Sequence, residues 1–240
     1  MKRILGLLLA GTMILALAAC GKTDSSETIS ENKNSVSDST KVQTDSSNSA
    51  DDAEADHTAQ TEQTEGGSNM LVAYFSLAGE QYGVGVIEEG NTSIIAHMIA
   101  EQTGADLFEI EAVTPYPTSH SELLDVSRQE MANNARPEIA GTVNNMDDYD
   151  TIFIGYPNWW GDMPMIVYNF LESYDLSGKT IIPFCTHGGS GLSNTEATIA
   201  DITGGTMKDG FAIPGTTAQN DRDTARSKVA DWLREDGFVE

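Results

Sequence analysis

The chain has 240 residues, 37 acidic against 13 basic side chains, a formal charge of −24 at pH 7, and two cysteines. So negative a field repels nucleic acid and anionic lipid headgroups and favours basic partners. The length excludes a large multidomain assembly and fits one domain with extensions.

Lys2 and Arg3 precede an apolar stretch over residues 4–17, and Leu17-Ala18-Ala19-Cys20 puts small residues before a cysteine. The stretch is shorter than the roughly 20 residues that cross a bilayer and has the order of an export signal. It resembles a lipoprotein signal, in which Cys20 is acylated as the first mature residue. Residues 21–68 contain no Phe, Trp or Tyr and mix Ser/Thr with Asp/Glu. Such a segment cannot build a core; as a coiled tether it reaches roughly 35–42 Å. His57 within it has no expected metal role. Cys185, the other cysteine, sits in an apolar run and is expected as a small buried hydrophobe without a disulfide.

Residues 69–240 form the expected domain, with 26 Asp/Glu against 8 Lys/Arg. Residues 70–75 are a continuous apolar run of strand length, and Ile94, Ile95, Met98 and Ile99 share one stripe of a predicted helix over 91–103. Strands are then predicted over 105–111, 151–156, 179–186 and 207–213, and helices over 119–134, 164–174, 194–202 and 217–236. Five strands alternating with five helices predict an α/β fold, a doubly wound five-stranded parallel sheet, because each parallel connection needs a crossover. For strand order 2-1-3-4-5 a ligand binds beyond the carboxyl ends of the first and third strands, where the order reverses.

Three loops leave from that place. The first runs from Ser76 to Gly79 and ends at Gly90-Asn91-Thr92, where the first helix starts. Helix-start amides lack internal partners and suit a phosphate, with the Ser76, Thr92 and Ser93 hydroxyls as further donors; an ordinary helix cap is the plainer alternative. No Lys or Arg lies between Met70 and Glu111, so binding there would rely on neutral donors. The second loop, Pro157-Asn158-Trp159-Trp160-Gly161, carries two large aromatics that need covering. A planar ligand, with a flavin as the leading candidate, would cover them; packing on a neighbouring loop or protein is the alternative. The third loop, Thr186-His187-Gly188-Gly189-Ser190-Gly191, lets backbone approach a ring closely. His187 within it is expected to serve as a loop hydrogen-bonding group.

These three motifs, together with Tyr74-Phe75-Ser76 and Ile154-Gly155-Tyr156, resemble the flavodoxin-like family, in the branch whose members are often exported or joined to other domains. The resemblance covers essentially all of residues 69–240. It implies that Ser76, Gly90, Asn91 and Thr92 hold the phosphate of FMN. It further implies that Pro157, Asn158, Trp159, Trp160 and Gly161 border the ring, and that residues Thr186 through Gly191 close its other side. Here residues 80–89 are inserted after Gly79. The insertion is expected to project as a flap; folded inward, Glu80, Glu88 and Glu89 would repel a phosphate.

Metalloprotease, nucleophile-elbow and Walker motifs are absent from the sequence, so the cofactor would carry the chemistry. Asp162 and the acidic domain would push the fully reduced couple downward. Gly161 is the expected site of a backbone flip toward flavin N5, which favours one-electron transfer. Three functions stay open: a membrane-tethered electron carrier serving a redox partner protein or a small-molecule acceptor, an NAD(P)H-dependent quinone or small-acceptor reductase, and a flavin-free binding module. Contact with the membrane is expected through the lipid on Cys20 alone. Accordingly, a Cys20→Ala variant should move from the membrane to the soluble fraction on cell fractionation; retention in membranes at high salt would reveal a second attachment.

Overall fold

The computed structural model describes residues 69–240; the expected leader, the Cys20 anchor and the tether lie outside the described residues. No helix among the described residues is long and apolar enough to cross a membrane. In chain order the elements are β1 (Met70–Tyr74), β2 (Gly79–Gln81), β3 (Gly85–Ile87), α1 (Asn91–Thr103), β4 (Asp106–Glu109), β5 (Glu111–Ala112), α2 (His120–Ala132) and β6 (Ile139–Ala140). A 3₁₀ turn (Met146–Asp148) then leads to β7 (Thr151–Pro157), α3 (Met165–Glu172), β8 (Thr180–His187), α4 (Thr195–Thr203), β9 (Thr206–Met207), β10 (Phe211–Pro214), α5 (Gly215–Asn220) and α6 (Arg222–Glu235).

The main sheet has the order β10-β8-β7-β1-β4, all parallel, with β9 paired to the start of β8. Counted by main-sheet position, this is the expected order 2-1-3-4-5. The apolar runs of its strands are continuous because alternate side chains serve two buried faces. Leu71, Ala73 and Phe75 join Ile152, Ile154, Tyr156, Ile181 and Cys185 under α3 and α4, whose Ile166, Val167, Phe170 and Ile199 close that core. Val72, Tyr74, Phe153, Ile182, Phe184 and Ile213 face the other way, against Ile94, Ile95 and Ile99 of α1 and Val229, Trp232 and Leu233 of α6.

Two predicted elements are each in two pieces. The strand expected over 207–213 is interrupted between β9 and β10 beside Pro183 of β8. A proline has no amide to give the ladder, and with no room for a side chain at Gly210, where a Cβ would meet Leu192 and the Pro183 ring, the chain bulges past it. The helix expected over 217–236 starts at Gly215 and breaks at Asp221, which leaves helical geometry (φ −141°) and whose carboxylate accepts the Thr224 amide at 3.2 Å. Asn-Asp favours a cap over a helix interior. The second strand also ends two residues early, at Glu109; Glu111–Ala112 turns away to pair antiparallel with Ile139–Ala140.

Gly155 lies beside Phe184 in the pairing of β7 with β8, and a Cβ there would overlap the Phe184 ring. Both residues stand in the middle of a fully buried sheet, where overpacking costs roughly 1–3 kcal/mol. Gly155→Ala should lower unfolding stability by about that amount in a denaturant titration, and Phe184→Leu in the same background should recover part of it.

Candidate functional site

The chain leaves β1 at the centre of the sheet and returns through α1 on the α6 side, whereas the helix after β7 packs on the opposite face. Between the carboxyl ends of β1 and β7 a crevice therefore opens, and a cavity of about 560 Å³ sits there. Its size is within the range of pockets that hold small molecules.

The neck of the first loop is closed tightly. Ser76 Oγ accepts the Ser93 amide at 3.0 Å, and a Cβ at Gly90 would overlap that hydroxyl and the Leu77 backbone. Residues 80–89 therefore leave the neck intact: they form the β2–β3 hairpin, and Gly90 still delivers the chain into α1. Thr92 is buried, and its hydroxyl is 2.8 Å from the Thr186 hydroxyl, joining the start of α1 to the end of β8. Ser76, Gly90 and Thr92 consequently stand behind the cavity wall. Asn91 faces the cavity, and its Oδ1 is buried without a hydrogen-bond partner. A buried amide oxygen left unpaired costs about 1–3 kcal/mol, so this atom marks a place built for a polar ligand group. Of the first-turn amides of α1, that of Ser93 is taken by Ser76 Oγ, whereas those of Asn91 and Thr92 have no intrahelical acceptor.

The second loop is a two-residue reversal. The Trp159 amide donates to the Asp162 carbonyl at 2.8 Å and the Asp162 amide to the Trp159 carbonyl at 3.0 Å, with Trp160 at φ +59° and Gly161 at φ +83°. Positive φ at both central residues defines a type I′ turn. It suits Gly161 and strains Trp160, whose bulk disfavours the left-handed region. Side-chain contacts hold Trp160 there: its indole N–H donates to Ser127 Oγ of α2 at 3.0 Å, and the Arg128 guanidinium lies 4.3 Å from its ring centroid. Trp159 points inward and meets Phe75 and Tyr116 edge to face at 5.6 and 5.7 Å. The adjacent tryptophans thus do different work, Trp159 joining the core while Trp160 docks on α2, although both line the cavity.

Asn158 clamps this loop to the third. Its amide group donates to the Gly191 carbonyl at 2.9 Å and to Ser193 Oγ at 3.0 Å, its Oδ1 accepts the Gly161 amide at 3.0 Å, and its backbone N–H donates to the Thr186 carbonyl at 2.8 Å. Gly191 is thereby occupied below the cavity; Thr186, His187, Gly188, Gly189 and Ser190 line it, as do Pro157, Asn158 and Gly161. His187 Nδ1 accepts the Gly189 amide at 2.9 Å, which places its proton on Nε2, and burial lowers its pKa below the ordinary imidazole value. Asp162 accepts from the Tyr168 hydroxyl at 2.9 Å and from the Met163 amide at 2.8 Å and is held outside the lining. Burial in the apolar run pushes the Cys185 thiol up to about 12, so it is inert at neutral pH.

The remaining wall comes from residues that the three sequence motifs omit: Gln81 and Tyr82 of the hairpin, His120, Leu123, Leu124 and Ser127 of α2, and Gly215. One signal for α2 was available. Ser127 falls one turn after Leu123 on the buried stripe of that helix, where a small polar residue is out of place unless something bonds to it. No Asp, Glu, Lys or Arg lines the cavity, in a chain of charge −24. Among the described residues no cluster of metal-type ligands occurs.

Comparison with known proteins agrees with this architecture. The model of the flavodoxin family matches residues 69–234. A protein of Bacteroides eggerthii described as a candidate flavoprotein is 30% identical, with 69% of this chain and 96% of the other aligned at a TM-score of 0.55. A similarly described protein of Bacteroides uniformis is 31% identical over 70% of this chain and 99% of its own, also at 0.55. A flavoprotein of Lactobacillus acidophilus solved with FMN is 20% identical over 60% of this chain and 91% of its own, at 0.49. No curated protein matched the chain. With a family match over residues 69–234 of the described 69–240 and the strand order of that fold, the chain belongs to the flavodoxin family.

Proposed function

We propose that the domain binds one FMN in this cavity and passes electrons as a carrier, held at the outer face of a bacterial membrane by a lipid on Cys20. The observation that supports it best is the convergence of three loops on one uncharged, aromatic-walled cavity where the strand order reverses. FMN fits the donor set. The neutral neck, with the free first-turn amides of α1 as donors, suits its phosphate, while the unpaired Asn91 Oδ1 suits a ligand hydroxyl or N–H that can donate to it. Trp159, Trp160 and the loop from Thr186 to Ser190 suit its ring system. When bound, this group supplies one- and two-electron transfer. The protein binds, orients and shields it. The clamp at Asn158 fixes the distance between the two ring loops, and Gly161 is where the backbone can turn toward the ring, giving up the bond between the Asp162 amide and the Trp159 carbonyl.

A second reading, a two-electron reductase of quinones or similar small acceptors, is favoured by one feature: His120 and His187 both line the cavity. Neutral His187 carries its proton on Nε2 and could donate a hydrogen bond from it to a small acceptor. Its partner would be a nicotinamide nucleotide as electron source.

Titration of apo-protein with FMN should show stoichiometric binding with quenched flavin emission. Changing Trp159 and Trp160 together to Ala should weaken binding by roughly tenfold or more and restore emission; unchanged affinity and quenching would remove the stacking role. Stepwise reduction that passes through a one-electron stage supports the carrier, whereas rapid NAD(P)H turnover on quinones supports the reductase. In an NMR titration of His187 the midpoint should fall below that of a free imidazole, because burial disfavours the cation. A depressed histidine pKa means that the unfolded chain binds the proton more readily. The linked stability is therefore present at pH 7 and declines as pH falls through the ordinary imidazole range toward the folded midpoint.

A further inference from the structure

We propose that the inserted hairpin supplies a ring-contacting residue of its own: Tyr82 forms the outer wall of the cavity, facing a flavin ring from the side opposite the tryptophan loop. This inference rests on the FMN reading above.

The hairpin is fixed at both ends. At its start the Glu80 amide donates to the Thr118 carbonyl at 2.8 Å, while the Glu80 carboxylate accepts the His120 amide at 3.0 Å and so caps the first turn of α2. At its end Glu89 pairs with Arg222 of α6 at 3.0 Å, and Ile87 is buried. Two of the three carboxylates that would repel a phosphate are thereby engaged away from the neck. What the tip carries toward the cavity is an uncharged ring.

Tyr82 is 72% exposed, yet it lines the cavity. Its ring edge lies so close to Gly188 that a Cβ there would be 2.9 Å from Cδ1 and 3.0 Å from Cε1. On its other side the His120 ring is 6.3 Å away, inclined by 36°. Tyr82 therefore stretches between the third loop and the start of α2, the two banks of the cavity. An aromatic side chain has about 150–250 Å² to cover, and here a rigid support presents most of it to solvent at the mouth of a pocket already walled by Trp159 and Trp160. A flat heterocycle in that pocket would cover the exposed face, and the tyrosine would cover the heterocycle.

The test uses the described domain in its full chain and two ligands, FMN and riboflavin, which share the ring and differ in the phosphate. Tyr82→Ala should weaken both by the same factor, roughly tenfold for one stacking face, while Tyr82→Phe should bind both as wild type does. Because Tyr82 is exposed, the variants should fold normally, and an unchanged thermal midpoint checks this. Equal affinity of Tyr82→Ala and wild type for both ligands overturns the proposal, as does a loss confined to FMN, which would place the effect at the phosphate neck. If the wild type binds neither ligand, the flavin reading fails and this one with it; if the wild type binds and only the Tyr82 expectation fails, the cofactor reading stands alone.

Discussion

Everything at the site depends on the direction reversal between β1 and β7. A right-handed crossover from β1 puts α1 on one face of the sheet, and the crossover from β7 puts α3 on the other. The carboxyl ends of these neighbouring strands are thus the one place along the sheet where no helix closes over the edge. The buried hydroxyl pair of Thr92 and Thr186 and the Asn158 clamp brace the crevice from below and from the side. Loops of unrelated sequence converge there because topology delivers them to it.

The second constraint is electrostatic. A domain with so many carboxylates could not hold an anionic group if they lined its pocket, and none does. Through salt solution the field of remote carboxylates fades over about 8–10 Å. An anion in the crevice therefore meets amides and hydroxyls first. Burial of His187 removes a cation that the cavity would otherwise gain near neutrality. Arg128 does not line the cavity; its guanidinium rests over the Trp160 ring.

Much of this was legible in the residues, and what was not has physical causes. Helix α1 is bounded in the sequence as it is in the structure, because Gly90 and Gly104 flank an unbroken apolar stripe. The parallel sheet follows from alternation alone, but its strand order does not, because several doubly wound orders share that alternation. The broken fifth strand needed knowledge of its neighbour, since Pro183 acts across the ladder and not along the chain. The break at Asp221 was readable from Asn-Asp but is masked by the apolar period that continues past it. The tryptophans looked alike as a pair, yet a type I′ turn sends adjacent side chains to different neighbours. The wall from α2 is farthest from any motif: His120, Leu123 and Ser127 reach the cavity only because the chain between β4 and β7 folds back over the crevice.

The interrupted fifth strand has a meaning for how copies of the protein behave together. An outer strand with a full row of free amides and carbonyls invites another chain to add to it. Here that border is divided into runs of two and four residues by the bulge beside Pro183. Neither run is long enough to template a stable added strand, so the same proline that spoils the regularity of the sheet also guards it against edge-to-edge aggregation.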